Sequence, residues 1–219
     1  MSQVSANCPS CGAPIQFRWS SAVQTVCSFC HSILIRTDLD LQKVGQVADL
    51  PPDPSPISLW TEGTYRGKSF QVLGRIIYQW EDGGWNEWHI VFSDGSSGWL
   101  SDAQLQYAVS FLVAAPPSLP AAGAIFRGSQ LEYNQVTYQV STITRASYKG
   151  VEGELPFPFY GKSDMLFADL RTAGRPFGTI DYSDQTPALY LGEWVEFEEL
   201  QLKNLKQYEG WQQGGQNAA

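Results

Sequence analysis

Two Cys-x-x-Cys pairs near the start of the chain are the residues whose type and spacing best indicate chemistry. Cys8 and Cys11 form the first pair and Cys27 and Cys30 the second, and they account for all 4 cysteines. Two residues between cysteines form a tight turn that directs both sulfurs at one ion, and the spacing is typical of a structural zinc site. Gly12 permits the left-handed backbone that such a turn needs. We predict that these thiolates bind one zinc ion, with iron in the same sulfur cage as the alternative.

Residues 1–40 are predicted to form a zinc ribbon around this site. So short a segment buries too little apolar surface to fold alone, and the ion must therefore supply the missing folding free energy. Four protein ligands leave no coordination position for water, which makes the site structural rather than catalytic. His31 is expected to lie on the surface or behind the ligands.

Proline-rich segments divide the rest of the chain. Residues 41–56 are predicted to be a proline-rich linker, because proline cannot donate a hydrogen bond to a sheet. Residues 57–208 are predicted to be a β-rich domain in two halves, 57–115 and 123–208, and residues 209–219 a flexible tail. Because all cysteines precede the linker, we expect the ribbon and the β-rich domain to fold independently.

The composition favours a mainly β fold. Aromatic residues make up 13% of the chain, and 20 glycines and 13 prolines favour short strands and turns. We therefore predict two antiparallel β-units, each closing as a small barrel or stacking as a sandwich. Ser69–Val72 (Ser-Phe-Gln-Val) is similar to Thr137–Val140 (Thr-Tyr-Gln-Val), which indicates that the second unit is a diverged duplicate of the first.

Alternating apolar and polar residues on both sides of an Asp-Gly-Gly turn predict a β-hairpin in the first unit. The register that pairs Tyr78 with Trp88 and Ile76 with Ile90 produces one continuous apolar face. Since a slip of one residue exchanges the two faces of a strand, burial favours this register.

The same register places Arg75, Glu87 and His89 together on the outward, solvated face of the hairpin. A Glu–His pair can act as a general acid and base, but exposed charged pairs are also common on solvated faces. With 2 histidines and no phosphate-binding loop or nucleophile elbow, the chain is predicted to have no catalytic residues. Trp85, in the turn, is the best candidate for contact with a partner.

Charge and hydropathy restrict the partners and the compartment. The formal net charge is −8, which disfavours nucleic acid as a partner. The longest apolar run, Tyr107–Ala115, is far shorter than the roughly 20 residues that span a bilayer, which predicts no transmembrane segment. Metal-bound thiolates need a reducing compartment, and the first ten residues do not resemble a secretory signal. We therefore expect a cytoplasmic protein.

Several short motifs in residues 57–205 match a known family pattern: Gly67–Arg75, Trp85–Trp88, Val151–Phe157 and Tyr190–Trp194. They resemble the bacterial domain of unknown function 4178 family, and the Cys-Pro-x-Cys-Gly opening resembles the zinc ribbons that many members carry. The resemblance implies a β-rich cytosolic domain with no assigned reaction. It also implies a link to envelope or polyamine-related systems through neighbouring genes.

These observations lead to two hypotheses of different kinds. The favoured one is a zinc-binding, non-enzymatic adaptor that contacts a protein partner, which can be membrane-associated. The alternative is an enzyme or small-molecule sensor that uses the Arg75, Glu87 and His89 face.

Overall fold

Antiparallel strands make up nearly all the regular structure of residues 5–37, 40–47, 50 and 54–207, which the computed structural model describes. The predicted tail 209–219 and part of the predicted linker lie outside these residues. The strands are β1 Ser5–Asn7, β2 Pro14–Gln16, β3 Gln24–Val26, β4 Ser32–Arg36, β5 Leu41–Gln46, β6 Glu62–Tyr65, β7 Lys68–Trp80, β8 Gly83–Phe92, β9 Ser97–Ala103, β10 Gln106–Leu112, β11 Gln130–Tyr133, β12 Val136–Gly153, β13 Met165–Arg171, β14 Pro176–Asp181 and β15 Ala188–Val195.

A 3₁₀ helix, Phe197–Leu200, follows the last strand. It ends at Gln201, whose left-handed backbone (φ 47°) cannot continue the helix. Across the part of the chain that the structure describes, no helix has the length and apolar character needed to span a membrane.

Eight of the strands close into an arrangement that we call the ring. Neighbouring strands follow the order β7–β8–β9–β10–β15–β14–β13–β12, and a further pairing between β12 and β7 closes it. Every pairing is antiparallel. The predicted mainly β, antiparallel fold is therefore confirmed, but the two predicted units share one sheet, and its closure corresponds to a barrel rather than a sandwich.

The ten-stranded sheet, which consists of the ring together with β6 and β11, has two halves that repeat the same plan. In each half a short strand (β6 or β11) precedes a long strand, and three further strands follow. The long strands carry a bulge at corresponding positions, just after Val72 and just after Val140. The N–H groups of these two valines donate to equivalent carbonyls, those of Thr61 and Ser129, at 2.8 Å in both cases. This correspondence is what a diverged duplication predicts.

The predicted hairpin register is wrong. Tyr78 pairs with Trp85 and Ile76 with Glu87, and a two-residue turn, Glu81–Asp82, joins the strands. The prediction assumed that only one face of the hairpin is buried. In the structure Ile76 and Tyr78 pack on one side, whereas Trp88 packs in a different core on the other side. Because both faces are buried, the apolar pattern does not select a register.

The N-terminal module extends further than predicted. Residues 41–46, assigned above to the linker, form β5 and pair with β4 in a three-stranded sheet with β3. Leu41 is 7% exposed and packs in one core with Cys8, Phe17 and Leu34. The apolar side chain of Leu41 therefore belongs to the ribbon, which we define from here on as residues 5–47.

The ribbon packs against the ring through a shared buried core. Ile33 of the ribbon belongs to the same core as Leu155 and Phe159, which lie in the segment that connects the ring strands β12 and β13. The fully buried side chain of Gln24 accepts a hydrogen bond from the N–H of Phe159 (2.7 Å) and donates one to its carbonyl (3.0 Å).

A buried carboxylate, that of Glu154, makes a further contact with the ribbon. Glu154 is 3% exposed, and its two oxygens accept hydrogen bonds from the backbone N–H groups of Arg18 (2.8 Å) and Trp19 (2.9 Å). Separating the modules would leave this carboxylate and two N–H groups to be rehydrated, and would expose the shared core to water.

Candidate functional site

The four cysteine thiols meet in one cluster. Their sulfur atoms all lie within 4.8 Å of one another, and the Cys8–Cys30 and Cys11–Cys27 Sγ–Sγ distances are both 3.7 Å. These distances greatly exceed the roughly 2.05 Å of a disulfide. They match the sulfur–sulfur separation of about 3.8 Å expected when four thiolates surround one ion at about 2.3 Å. The cluster can therefore hold one tetrahedral metal ion with no position left for water.

Both pairs are built on the same backbone turn. The Gly12 N–H donates to the Cys8 carbonyl (2.8 Å), and the His31 N–H donates to the Cys27 carbonyl (2.9 Å). Gly12 has φ 76° and His31 has φ 57°, so both adopt the left-handed conformation. His31 thus occupies in the second turn the place that Gly12 has in the first, and its side chain is exposed outside the thiol cluster.

The three polar residues predicted to share one solvated face are separated and largely buried. Arg75 is 4% exposed. Its guanidinium donates to Asn86 Oδ1 and to Glu152 Oε2 (2.9 Å), and it lies over the ring of Trp88 at 4.6 Å. Arg75 therefore supports the packing on the side of the hairpin away from Glu87 and does not lie on a solvated face.

His89 is fully buried between the ribbon and the ring. Its Nδ1 donates to the Glu154 carbonyl oxygen (2.9 Å), and its ring lies 4.9 Å from that of Trp19 and 5.4 Å from that of Trp99. Burial lowers the pKa of His89 to about 4, so that the imidazole is neutral at neutral pH. His89 is thus a packing residue and makes no hydrogen bond with Glu87 among those found in the described residues.

Glu87 lines a cavity of about 260 Å³ in the interior of the ring. Alternate residues of the ring strands project into it, as the two-residue period of a strand requires. Its polar side chains are Glu87, Ser101, Gln104, Gln106, Ser110, Thr142, Thr144, Asp169, Thr179, Asp181 and Tyr190, and its aromatic side chains include Tyr78, Trp80, Trp85, Trp99, Phe157, Phe167, Phe177 and Trp194.

Two hydrogen bonds hold the Glu87 carboxyl group in place. Trp85 Nε1 donates to one oxygen (3.0 Å) and Ser101 Oγ donates to the other (2.8 Å). Burial is the main reason that the pKa of Glu87 is raised to about 8; the two hydrogen bonds oppose this rise, and the charges of Asp169 and Asp181 add a smaller increase. The carboxyl group is therefore mostly protonated at neutral pH.

Two further acidic groups line the same cavity, and sequence reasoning missed both. Burial raises the pKa of Asp169, which Arg171 partly offsets, and burial also raises the pKa of Asp181, whose carboxylate accepts a hydrogen bond from the Ser183 N–H (2.7 Å). Within the described residues, the cavity lining contains no lysine, arginine or histidine. The sequence does carry a signal for the face that lines the cavity. Phe167 and Asp169 are two positions apart on β13, and Phe177 and Asp181 are four positions apart on β14, so that each pair lies on one face of its strand.

Trp85 is not the exposed loop contact that the sequence predicted. It lies within β8, partly buried, with its ring stacked on Tyr78 at 4.7 Å and edge-on to Phe167 at 5.6 Å. Across the cavity lining, Trp194 packs against Phe177 at 4.7 Å. The Trp194 Nε1 atom is buried and has no hydrogen-bond partner in the described residues.

Comparison with known proteins adds a family but no function. The model of a domain of unknown function (DUF4178) matches residues 61–197, a span that contains all eight strands of the ring and every residue that lines the cavity. The ribbon lies outside the matched span. No curated protein and no solved structure matches the chain.

Proposed function

Because the chain belongs to the DUF4178 family, whose domain has no assigned function, we propose a function from the geometry: the ring binds a small molecule in its interior cavity. One observation supports this proposal above all others. Small eight-stranded barrels are filled by side chains or hold one small ligand, and this ring keeps a cavity of about 260 Å³.

The chemistry of the cavity lining also supports ligand binding. Side chains in a purely structural core are apolar, because a buried polar group costs free energy unless it is hydrogen-bonded. Here Glu87, Asp169 and Asp181 line the interior, and burial raises the pKa of each. Buried acids with strongly shifted pKa values concentrate at functional sites.

We propose that the thiol cluster holds one zinc ion with a structural role. Four protein ligands complete the tetrahedron, and the ion would therefore position the ribbon against the ring without taking part in a reaction. Thiolates remain available to a metal in a reducing compartment, which supports a cytoplasmic location.

A neutral probe tests the proposed cavity site. Benzyl alcohol should bind one site per chain, measured by saturation-transfer NMR and titration. Replacing Thr144, whose side chain lines the cavity, by phenylalanine should weaken binding at least tenfold by filling the space. The matched control is Ile143→Phe. Ile143 immediately precedes Thr144 on the strand, is 36% exposed and does not line the cavity. Equal binding by both variants would place the probe elsewhere and overturn the proposal.

A second function, a zinc-binding adaptor for a protein partner, is favoured by one observation. Phe29 lies between the two cysteines of the second pair and is 70% exposed. A large apolar side chain held outward on a rigid turn is suited to insertion into a pocket of a partner. The resemblance described above makes a membrane-associated partner of envelope or polyamine-related systems the expected one.

Site-specific photocrosslinking tests the adaptor function. A benzophenone amino acid at position 28, beside Phe29, should capture one protein of defined mass in the cells of origin. The same group at position 10, between the cysteines of the first pair, is the control. An additional Phe29→Ser substitution should abolish the adduct. Equal adducts at positions 28 and 10, or none at either, would contradict an adaptor role for this turn.

A further inference from the structure

We propose that the ligand of the ring is a small organic cation, an amine that carries an ammonium group on an apolar body. This inference rests on the proposed function, since it names the chemical class of the ligand that the cavity takes.

The balance of charge in the cavity favours a cation. Three acidic side chains line it, and the part of the chain that the structure describes places no basic side chain in the lining. Two basic groups outside the lining act on these acids, Arg171 on Asp169 and Lys162 on Asp181. Both have other partners, since Arg171 lies over the Trp194 ring at 3.9 Å and Lys162 pairs with Asp184 at 2.8 Å. An anionic ligand would meet three acidic groups in a poorly solvated space, which is unfavourable.

Aromatic rings next to Glu87 supply a second attraction for a cation. Tyr78, Trp85 and Phe167 are in mutual contact, with ring centroids 4.7 to 5.6 Å apart. An ammonium group over the face of such rings gains roughly 0.5–2 kcal/mol, and the gain is larger where water is excluded. Carboxylate and aromatic groups together thus match an ammonium head on an apolar body.

Cation binding is expected to depend on pH through Glu87. The groups that face Glu87 are the carboxyls of Asp169 and Asp181 and the phenols of Tyr78 and Tyr190, none of which is basic. An ammonium ion stabilises ionised Glu87, so that binding near neutral pH should release a proton. Because the pKa of Glu87 is about 8, the affinity should rise as the pH increases from 6 to 8.

Three probes of nearly the same shape test the inference on the full chain: benzylammonium, benzyl alcohol and benzoate. We expect benzylammonium to bind at least tenfold more tightly than benzyl alcohol, and benzoate to bind more weakly than both. The double variant Glu87→Gln, Asp181→Asn should reduce benzylammonium binding at least tenfold and change benzyl alcohol binding by less than threefold. The control, Glu132→Gln, replaces an exposed acid on β11, outside the cavity.

The outcomes separate this inference from the proposed function. If benzyl alcohol binds in the cavity as tightly as benzylammonium, or if benzoate binds best, the cavity is a ligand site but not a cation site. If none of the three probes binds, the inference and the proposed function both fail. Retained benzyl alcohol binding shows that the double variant is folded, and in that case unchanged benzylammonium binding would refute the role of the carboxyl groups.

Discussion

Removing the metal from the purified protein is expected to unfold the ribbon and to loosen the ring in the same transition. The purified chain should contain one zinc ion, bound by Cys8, Cys11, Cys27 and Cys30. Structural zinc in small modules contributes roughly 10–16 kcal/mol of apparent binding free energy, which far exceeds what a segment of this size gains from its own core. Chelation should therefore leave the ribbon unfolded.

The ring should respond because it shares a core with the ribbon. Ile33 packs with Leu155 and Phe159, and the Glu154 carboxylate is held by two ribbon N–H groups. Losing the ribbon exposes this apolar surface and removes the two N–H groups that hold the Glu154 side chain. The Glu154 carbonyl oxygen, which accepts a hydrogen bond from His89 Nδ1, is then less firmly positioned. The Trp19 and Trp99 rings that flank His89 should then change their environment.

Thermal unfolding followed by near-ultraviolet circular dichroism measures this coupling. We expect a single transition, shifted to lower temperature by a strong chelator and by Cys27→Ser. The matched control is Ser28→Ala, which changes the same turn but removes no metal ligand. Two separate transitions after chelation, with the aromatic signal of the ring unchanged, would show that the modules are independent. A metal-free protein of full stability would contradict the metal site itself.

The protein is expected to lose stability at high pH because the buried Glu87 carboxyl group ionises, and replacing Glu87 by glutamine should abolish that loss. The pKa of Glu87 is raised from 4.5 in the unfolded chain to about 8 in the folded protein. Between these values the folded state binds more protons than the unfolded state, so the stabilising contribution is complete below pH 4.5 and is lost as the pH rises through 8. At 1.36 kcal/mol per pKa unit, the loss amounts to at most about 5 kcal/mol.

Urea unfolding at pH 5, 7 and 9 measures this effect. Glu87→Gln should match the unaltered protein at pH 5 and exceed it in free energy of unfolding at pH 9, by up to about 5 kcal/mol. Glu132→Gln, on the exposed strand β11, should leave the pH dependence unchanged. His89, whose pKa is lowered to about 4, acts in the opposite sense and only below about pH 6.5, where stability falls with decreasing pH. Parallel curves for Glu87→Gln and the unaltered protein would show that Glu87 is not a buried, protonated acid.

Local patterns in the sequence were sufficient for the thiol cluster and for most of the strands. The two Cys-x-x-Cys turns depend on a few neighbouring residues, and the structure brings their four sulfurs within 4.8 Å of one another. The β class and the repeat also follow from local signals, since Ser69–Val72 and Thr137–Val140 lead into the same bulge in the two halves. Such features depend on residues close together in the chain, and spacing and propensity therefore specify them.

The cavity and the contact of the ribbon with the ring were decided only by the tertiary structure. Alternation along a strand predicts which residues share a face, but it does not say whether the second face meets solvent, another core or an interior cavity. Arg75, Glu87 and His89 looked solvated for this reason, whereas closure of the ring and docking of the ribbon bury Arg75 and His89 and place Glu87 in the cavity. The raised pKa of Glu87 comes mainly from burial inside the closed ring, and the charges of Asp169 and Asp181, more than 80 residues away in sequence, add to it. Desolvation and long-range charge act through space, so the chemistry of this cavity arises only when the ring is closed.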